Sequence, residues 1–369
     1  MTALDPVGNF IALARRQNRR TTLAVLAAFF LLLGTCFITI HGGAIHIPPL
    51  DALQMIAARL GLVTAAPGSE AQVNQALATI LIDIRLPRIG LGILTGAGLA
   101  VAGVTLQGLF RNPLADPGLV GVSTGAALAA AACIVLGRSM FQYLPPEILR
   151  HALPMAAFFG GLIATIVVYL VATRDGRTDV AALLLAGVAI NAIAAAGIGL
   201  LTFLSSEQEL RDLNFWMLGS LNGVTWHHLF IATPMVLGST LALTYFARHL
   251  NALLLGEAEA RHLGFNVERM KRLMVALVAL TVGGTVALTG AIGFVGLLVP
   301  HLVRLLTGAD HRTLFPLSAL LGACLVLLAD LVARTIVVPA ELPIGILTSM
   351  IGGPFFLWLL LRQRDQGGW

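Results

Sequence analysis

The feature that most limits this chain is the length of its uncharged apolar stretches. Runs free of Asp, Glu, Lys and Arg recur at about 21–40, 89–110, 117–137, 152–173, 180–206, 225–247, 273–303, 313–333 and 342–361, the eighth interrupted by Asp330. A helix of roughly 20 apolar residues crosses a hydrocarbon layer of about 30 Å. Lipid offers no partner to an open backbone, so only helices or closed barrels span it, and continuous apolar runs rather than strict alternation select helices. With 57% hydrophobic residues, 11% charged residues and a mean hydropathy of +0.89, the sequence predicts an all-α membrane protein.

The run 273–303 is long for one helix and short for two, but TGAIGFVG (Thr289 to Gly296) places three glycines inside it as a break. Two short spans there make ten in all. That count puts sixteen of the 23 Lys and Arg residues on one side, against Arg59, Arg85, Arg88, Arg138, Arg150, Arg211 and Arg334 on the other. The positive-inside rule then makes both termini cytoplasmic. The expected organisation is one transmembrane domain over 1–369, with a cytoplasmic N-terminus at 1–20, an outer loop at 43–84 and a cytoplasmic charged island at 250–272. Within the outer loop, LDALQMIAARLG reads as an amphipathic surface helix. RNPLADPG and RDGRTD fall inside. Arg15, Arg16, Arg19 and Arg20 precede a span-length run with no A-x-A site after it, so the first helix reads as retained rather than as a signal peptide.

The net charge of +5 is explained by this topology and not by nucleic acid. Cys36, Cys133 and Cys324 lie in separate runs and read as packing residues. The single lysine, Lys271, follows Met270, which excludes a Walker A loop and with it a P-loop ATPase in this chain. Gly290, Gly293 and Gly296 form no nucleotide site, and Gly92 and Gly96 read as helix-packing positions. Asp330 and Arg334 are spaced for an i,i+4 ion pair near the outer end. His301 and Asn191 read as satisfied core groups, and His227 and His228 as interfacial. His41 and His46 also read as interfacial histidines rather than as iron ligands. No catalytic or metal-ligating set is expected.

The island concentrates seven charges between Glu257 and Arg272. Leu254, Leu255, Ala258 and His262 fall on one helical face, Glu257 and Arg261 form an i,i+4 pair, and Gly264 is placed as a C-cap. Asn266 then caps a second helix with Glu268 near its positive end, so that two short helices make a compact knob.

From RLPRIGLGILTGAGLAVAGVTLQGLFRNPLADPGLVGVSTGA (Arg85 to Ala126) onward the chain resembles the FecCD family of iron-chelate and vitamin B12 importer permeases. The resemblance continues through LLLAGVAINA, FWMLGSLNGVTW, LLLGEAEARHLG, LTGAIGFVGLLVPHLVRLLTGADHR and LADLVARTIVVPAELPIGILTSMIGGPFFLWLL. It implies a ten-helix type II ABC importer permease in a bacterial inner membrane, paired as a homodimer around a pore. Its implied partners are two ATP-binding cassette subunits that hydrolyse ATP-Mg and a periplasmic substrate-binding protein. The chain itself would be no enzyme and bind no cofactor. Glu257, Ala260, Arg261, Leu263 and Gly264 become the ATPase-coupling residues, and Arg85, Arg88 and Arg334 the binding-protein docking residues. Thr178, Asp179, Val180 and Ala181 become the cytoplasmic gate, and the fifth span with Asn191 part of the pathway. The wording of the motifs places haem first as cargo, then ferric siderophores, then cobalamin. An ATP-independent secondary carrier is the competing class.

Overall fold

A computed structural model describes residues 6–43, 45, 47–59, 61, 62, 70–140 and 145–365. In chain order the helices are α1 (Pro6–His41), α2 (Pro49–Arg59), α3 (Glu70–Thr79), α4 (Leu86–Leu109), α5 (Val122–Met140), α6 (Pro146–Ala172), α7 (Val180–Leu204) and α8 (Glu207–Leu218). They continue with α9 (Trp226–Tyr245), α10 (Ala247–Leu253), α11 (Glu257–His262), α12 (Val267–Thr289), α13 (Val295–Thr307), α14 (His311–Ala333) and α15 (Ile344–Asp365). Between α6 and α7 lies a hairpin of two short strands, β1 (Thr173–Arg174) and β2 (Arg177–Thr178).

Seven helical segments among the described residues are long and apolar enough to cross a membrane, and the shorter Val122–Gly137, Val295–Thr307 and Ile344–Leu359 bring the spans to ten. An even number returns the chain to its starting side. The start of α1, the hairpin, the island and the end of α15 therefore share one end of the bundle, called here the island end.

α4 is the central helix: 78% of its apolar window is buried, against 17% in α1 and 22% in α7. Glycines allow this. A Cβ on Gly96 would run into the backbone of Gly322 on α14, one on Gly322 would meet Gly96 in turn, and one on Gly103 would strike Gly296 on α13. Where no hydrophobic force separates helix from lipid, such backbone-to-backbone approach supplies the packing energy.

The break within 273–303 falls where the glycines put it, α12 ending at Thr289 and α13 starting at Val295. Gly290 has φ +69°, and the Trp216 carbonyl occupies the space a Cβ would need. The turn after α8 stitches this far end together: Ser220 N–H donates to Thr289 O at 2.7 Å and Ile344 N–H to Gly219 O at 3.0 Å.

Two expectations need correction. Within 43–84, α2 at 49–59 stands where the amphipathic helix was expected, but the end of the stretch is not loop, because α3 runs through a π-helical turn, Ile80–Arg85, straight into α4. The charges of Asp83, Arg85 and Arg88 hid this continuity, since a charge-free criterion stops at the first ionised residue. The Trp226 indole N–H donates to Ile82 O at 2.9 Å, serving a carbonyl of that π turn. Second, the run 117–137 is not helical from its start. Pro117–Val120 is a 3₁₀ turn capped by Asp116, and α5 begins only at Val122. The turn packs deep against α7: Asn191, eleven residues into that helix, donates to Gly118 O at 3.2 Å. Eleven residues correspond to roughly 16 Å of helix. Irregular backbone is tolerated at such depth only where protein groups satisfy it.

Candidate functional site: the island, the hairpin and the far-end arginines

α10 ends at Leu253, and Gly256, with φ +116°, turns the chain into the short α11. The end of α11 is a Schellman cap: Phe265 N–H donates to Ala260 O at 3.1 Å and Gly264 N–H to Arg261 O at 2.9 Å, with Gly264 left-handed at φ +87°. Asn266 then accepts from Arg269 N–H at 3.0 Å and starts α12. The expected second short helix is thus the first turn of a span. Leu254 and Leu255 lie in the turn before α11 rather than on its face. Ala260 anchors the knob from below, fully buried, while Leu255 and Leu263 are 67% and 60% exposed beside exposed Glu259 and Arg261. Two bare leucines framed by charge thus stand on a capped turn.

Beneath that surface the charges are organised. Arg261 reaches Glu257 at 3.4 Å and Glu268 at 3.2 Å. Lys271, whose side chain is 4% exposed, sits 2.8 Å from Glu257 and 3.7 Å from Glu268.

The hairpin pairs Thr173 with Thr178 and Arg174 with Arg177. Asp175 and Gly176 form its tip with φ +52° and +74°, both in the left-handed region that a two-residue type I′ turn demands, and Asp-Gly is a favoured pair there. Of the four residues expected as a gate, Thr178 is buried, Asp179 and Ala181 are exposed and Val180 is half-buried. The Asp179 carboxylate accepts from Ala182 N–H at 2.8 Å and so caps α7. Thr178 is held from the other side: its N–H donates to Glu268 at 2.9 Å and its C=O accepts from Lys271 at 2.8 Å. The link between hairpin and island through Lys271 escaped the sequence reading. The Asp-Gly pair between Thr- and Arg-bearing flanks was a signal for the hairpin.

At the far end the three expected docking arginines are all turned inward. Arg85, Arg88 and Arg334 are 5%, 6% and 8% exposed. Arg85 donates to Ile40 O and Ile45 O. Arg88 grips two carboxylates, Asp330 at 2.8 Å and Glu341 at 3.0 Å. Arg334 donates to Thr39 O at 2.6 Å. The i,i+4 pair expected between Asp330 and Arg334 spans 3.7 Å, so the close partner of Asp330 is Arg88, 242 residues away in sequence. Glu341 keeps 33% of its side chain open to solvent, and Arg59 and Arg211 are exposed on that side.

Asn191 is engaged on both amide atoms, since besides donating to Gly118 O it accepts from the Thr124 hydroxyl. His301 is buried, but neither ring nitrogen has a hydrogen-bond partner among the described residues, contrary to the expectation of a satisfied core group. His41, the last residue of α1, is likewise buried and bonded at Nδ1 to Ile47 O at 2.8 Å, and His46 lies outside the described residues. The cysteines are unpaired and half-buried or buried, as packing residues are.

Residues 30–362 match the model of the FecCD transport family. The hemin transport system permease HmuU of Yersinia pestis is 48% identical over 79% of this chain and 86% of its own length. The cobalamin import permease BtuC of Halobacterium salinarum is 45% identical over 79% and 76%. The vitamin B12 import permease BtuC of Klebsiella pneumoniae is 38% identical over 97% and 99%. Among solved structures, a chain described as an inward-facing conformation of a metal-chelate type ABC transporter is 32% identical, superposes with a TM-score of 0.76, and is covered to 98% by 92% of this chain.

Proposed function

The chain belongs to the FecCD transport family, and from that premise we propose that it is the permease subunit of an ATP-driven importer that carries haem from periplasm to cytoplasm by alternating access. It would work as a homodimer in a bacterial inner membrane, with both termini cytoplasmic. The observation that carries haem over its rivals is the 48% identity to a hemin permease, against 45% and 38% to cobalamin permeases. The pathway chemistry agrees with a bulky apolar chelate. α7 turns Leu185, Val188, Ile193, Leu200 and Phe203 outward at 58–84% exposure, a wall that guides a large flat ligand without gripping it.

Energy would come from two ATP-binding cassette subunits seated on the island, with ATP-Mg held by those subunits. Glu257, Ala260, Arg261, Leu263 and Gly264 form the socket: Ala260 and Gly264 shape it, Leu263 fills a partner cleft, and Glu257 with Arg261 frames it. Thr178 to Ala181 stand at the gate, where Thr178 is the tethered residue and Asp179 the helix cap. A periplasmic binding protein would dock at the far end. There Arg85, Arg88 and Arg334 serve as a rigid base beneath the accessible charges of Glu341, Arg59 and Arg211, which steer encounter more than they add affinity. Asn191 holds the 117–120 turn under the pathway rather than the cargo itself.

The deciding experiment is uptake by vesicles carrying the permease, its ATPase and the cognate binding protein, with haem, a ferric siderophore and cobalamin offered side by side. Haem should accumulate only with ATP. Preferential uptake of cobalamin or siderophore overturns the cargo assignment, and uptake by the lone chain on an ion gradient overturns the ATP-driven class.

A further inference from the structure

We propose that Lys271 is a positioning residue, an internal clasp that carries movement of the island to the start of α7; the inference rests on the importer reading above. A lysine ammonium has three donors and no acceptor. Here it meets three oxygen-bearing groups from three places in the chain: Glu257 on α11 at 2.8 Å, Glu268 on its own first turn at 3.7 Å and Thr178 O in the hairpin at 2.8 Å. Glu268 closes the loop by accepting the Thr178 N–H at 2.9 Å. Both backbone groups of a single residue are therefore held by the first five residues of α12.

The arrangement leaves little slack. The Lys271 side chain is 4% exposed, so water cannot replace a lost partner without the cluster opening. Stripping a partner from a buried ammonium costs more than loosening a fully exposed pair, although Glu257 and Glu268 themselves keep 30% and 22% of their side chains open. Thr178 is also pinned on its other flank, its hydroxyl contacting Thr173 at 3.0 Å and the Tyr169 hydroxyl at 3.1 Å. One residue further on, Asp179 caps α7. A displacement of α11 must then either break the Lys271 to Glu257 pair or draw Thr178, and with it the first turn of α7, along. Glu257 is the member on α11, and it is bridged on its outer side by Arg261, at the contact surface itself. The cluster thus runs from the exposed island to the helix start in three residues.

The test uses the full chain in nanodiscs, its three native cysteines replaced, with spin labels at Asp175→Cys on the hairpin tip and Glu259→Cys on the island, both exposed positions. The clasp predicts one narrow distance distribution, broadened by Lys271→Met and kept narrow by Lys271→Arg, which preserves the cation. In the complex assembled with its ATPase, Lys271→Met should lower the amount of cargo moved per ATP hydrolysed by about tenfold, within the usual range of a coupling between sites. Glu268→Gln with Lys271→Met removes both charges together and covers the case in which Lys271→Met alone does not fold. If these variants keep both the narrow distribution and the cargo-per-ATP ratio, the clasp is overturned. A wild-type complex that moves no cargo on ATP overturns the importer reading instead, and the label distances then judge the clasp alone.

Discussion

Arg88 shows how much of this molecule rests on single side chains. Its guanidinium is shared between Asp330, whose side chain is 1% exposed, and Glu341, and it joins α4 to α14 and to the segment before α15. Arg88→Met leaves the Asp330 carboxylate without its close partner, and a broken buried pair costs about 3–5 kcal/mol. Thermal unfolding in detergent should fall sharply for Arg88→Met and recover in part for Arg88→Met with Asp330→Asn, which removes the stranded charge. An unchanged midpoint in the single variant would mean the cluster bears no load. The same geometry changes how docking is to be probed. Charge reversal at Arg85 and Arg88 disturbs folding first, so the informative reversals are Arg59→Glu and Arg211→Glu, which should slow capture of the binding protein, most visibly at low salt, and leave unfolding unchanged. An unaltered on-rate in both would move the docking face elsewhere. Sequence spacing found Arg334 four residues after Asp330, but a partner 242 residues away has no local signature.

Among the elements, the helices were legible and their seams only in part. Apolar runs and the positive-inside count returned the ten spans, because a lipid solvent forces each one to be helical and apolar. The glycine break before α13 was legible for the same reason: glycine in an apolar run marks a place where φ or close approach overrides helix. What escaped were places where polar groups are satisfied by tertiary contact, namely the continuation of α3 into α4 under the charges of 83–88 and the buried turn at 117–120. Packing between elements gives a sharp contrast. Gly96 faces the Gly322 backbone, whereas the space around a Cβ on Gly238 of α9 is empty within 4 Å. Gly96→Val should abolish accumulation of folded protein. Gly238→Ala should be tolerated or stabilise by about 0.5–1 kcal/mol through helix propensity. Equal behaviour of the two variants in a detergent melting series would refute the close α4 to α14 seam.

Considered as a whole molecule, the permease has no Walker A lysine, yet it carries a capped, leucine-bearing knob at one end and a glycine-packed bundle behind it. The knob is therefore where an outside engine would press. Gly264 is the residue that separates contact from fold. Its φ of +87° needs glycine, but a Cβ there points into open space. Replacing glycine in a left-handed position costs about 1–2 kcal/mol, small beside the packing of ten spans, and Gly264→Arg would project its side chain from the surface rather than into the core. The variant should keep its melting profile to within a few degrees and still reach the membrane. It should nevertheless fail to co-purify with the ATPase and lose ATP-dependent uptake, because the bulk stands where the partner must seat. Gly308, also left-handed at φ +88° with open space around it but outside the island, is the control: Gly308→Arg carries the same backbone penalty without blocking the socket. If both variants bind and transport alike, the island is a solvated loop whose charge serves topology alone; if only Gly264→Arg fails, the contact surface lies on α11 and its cap.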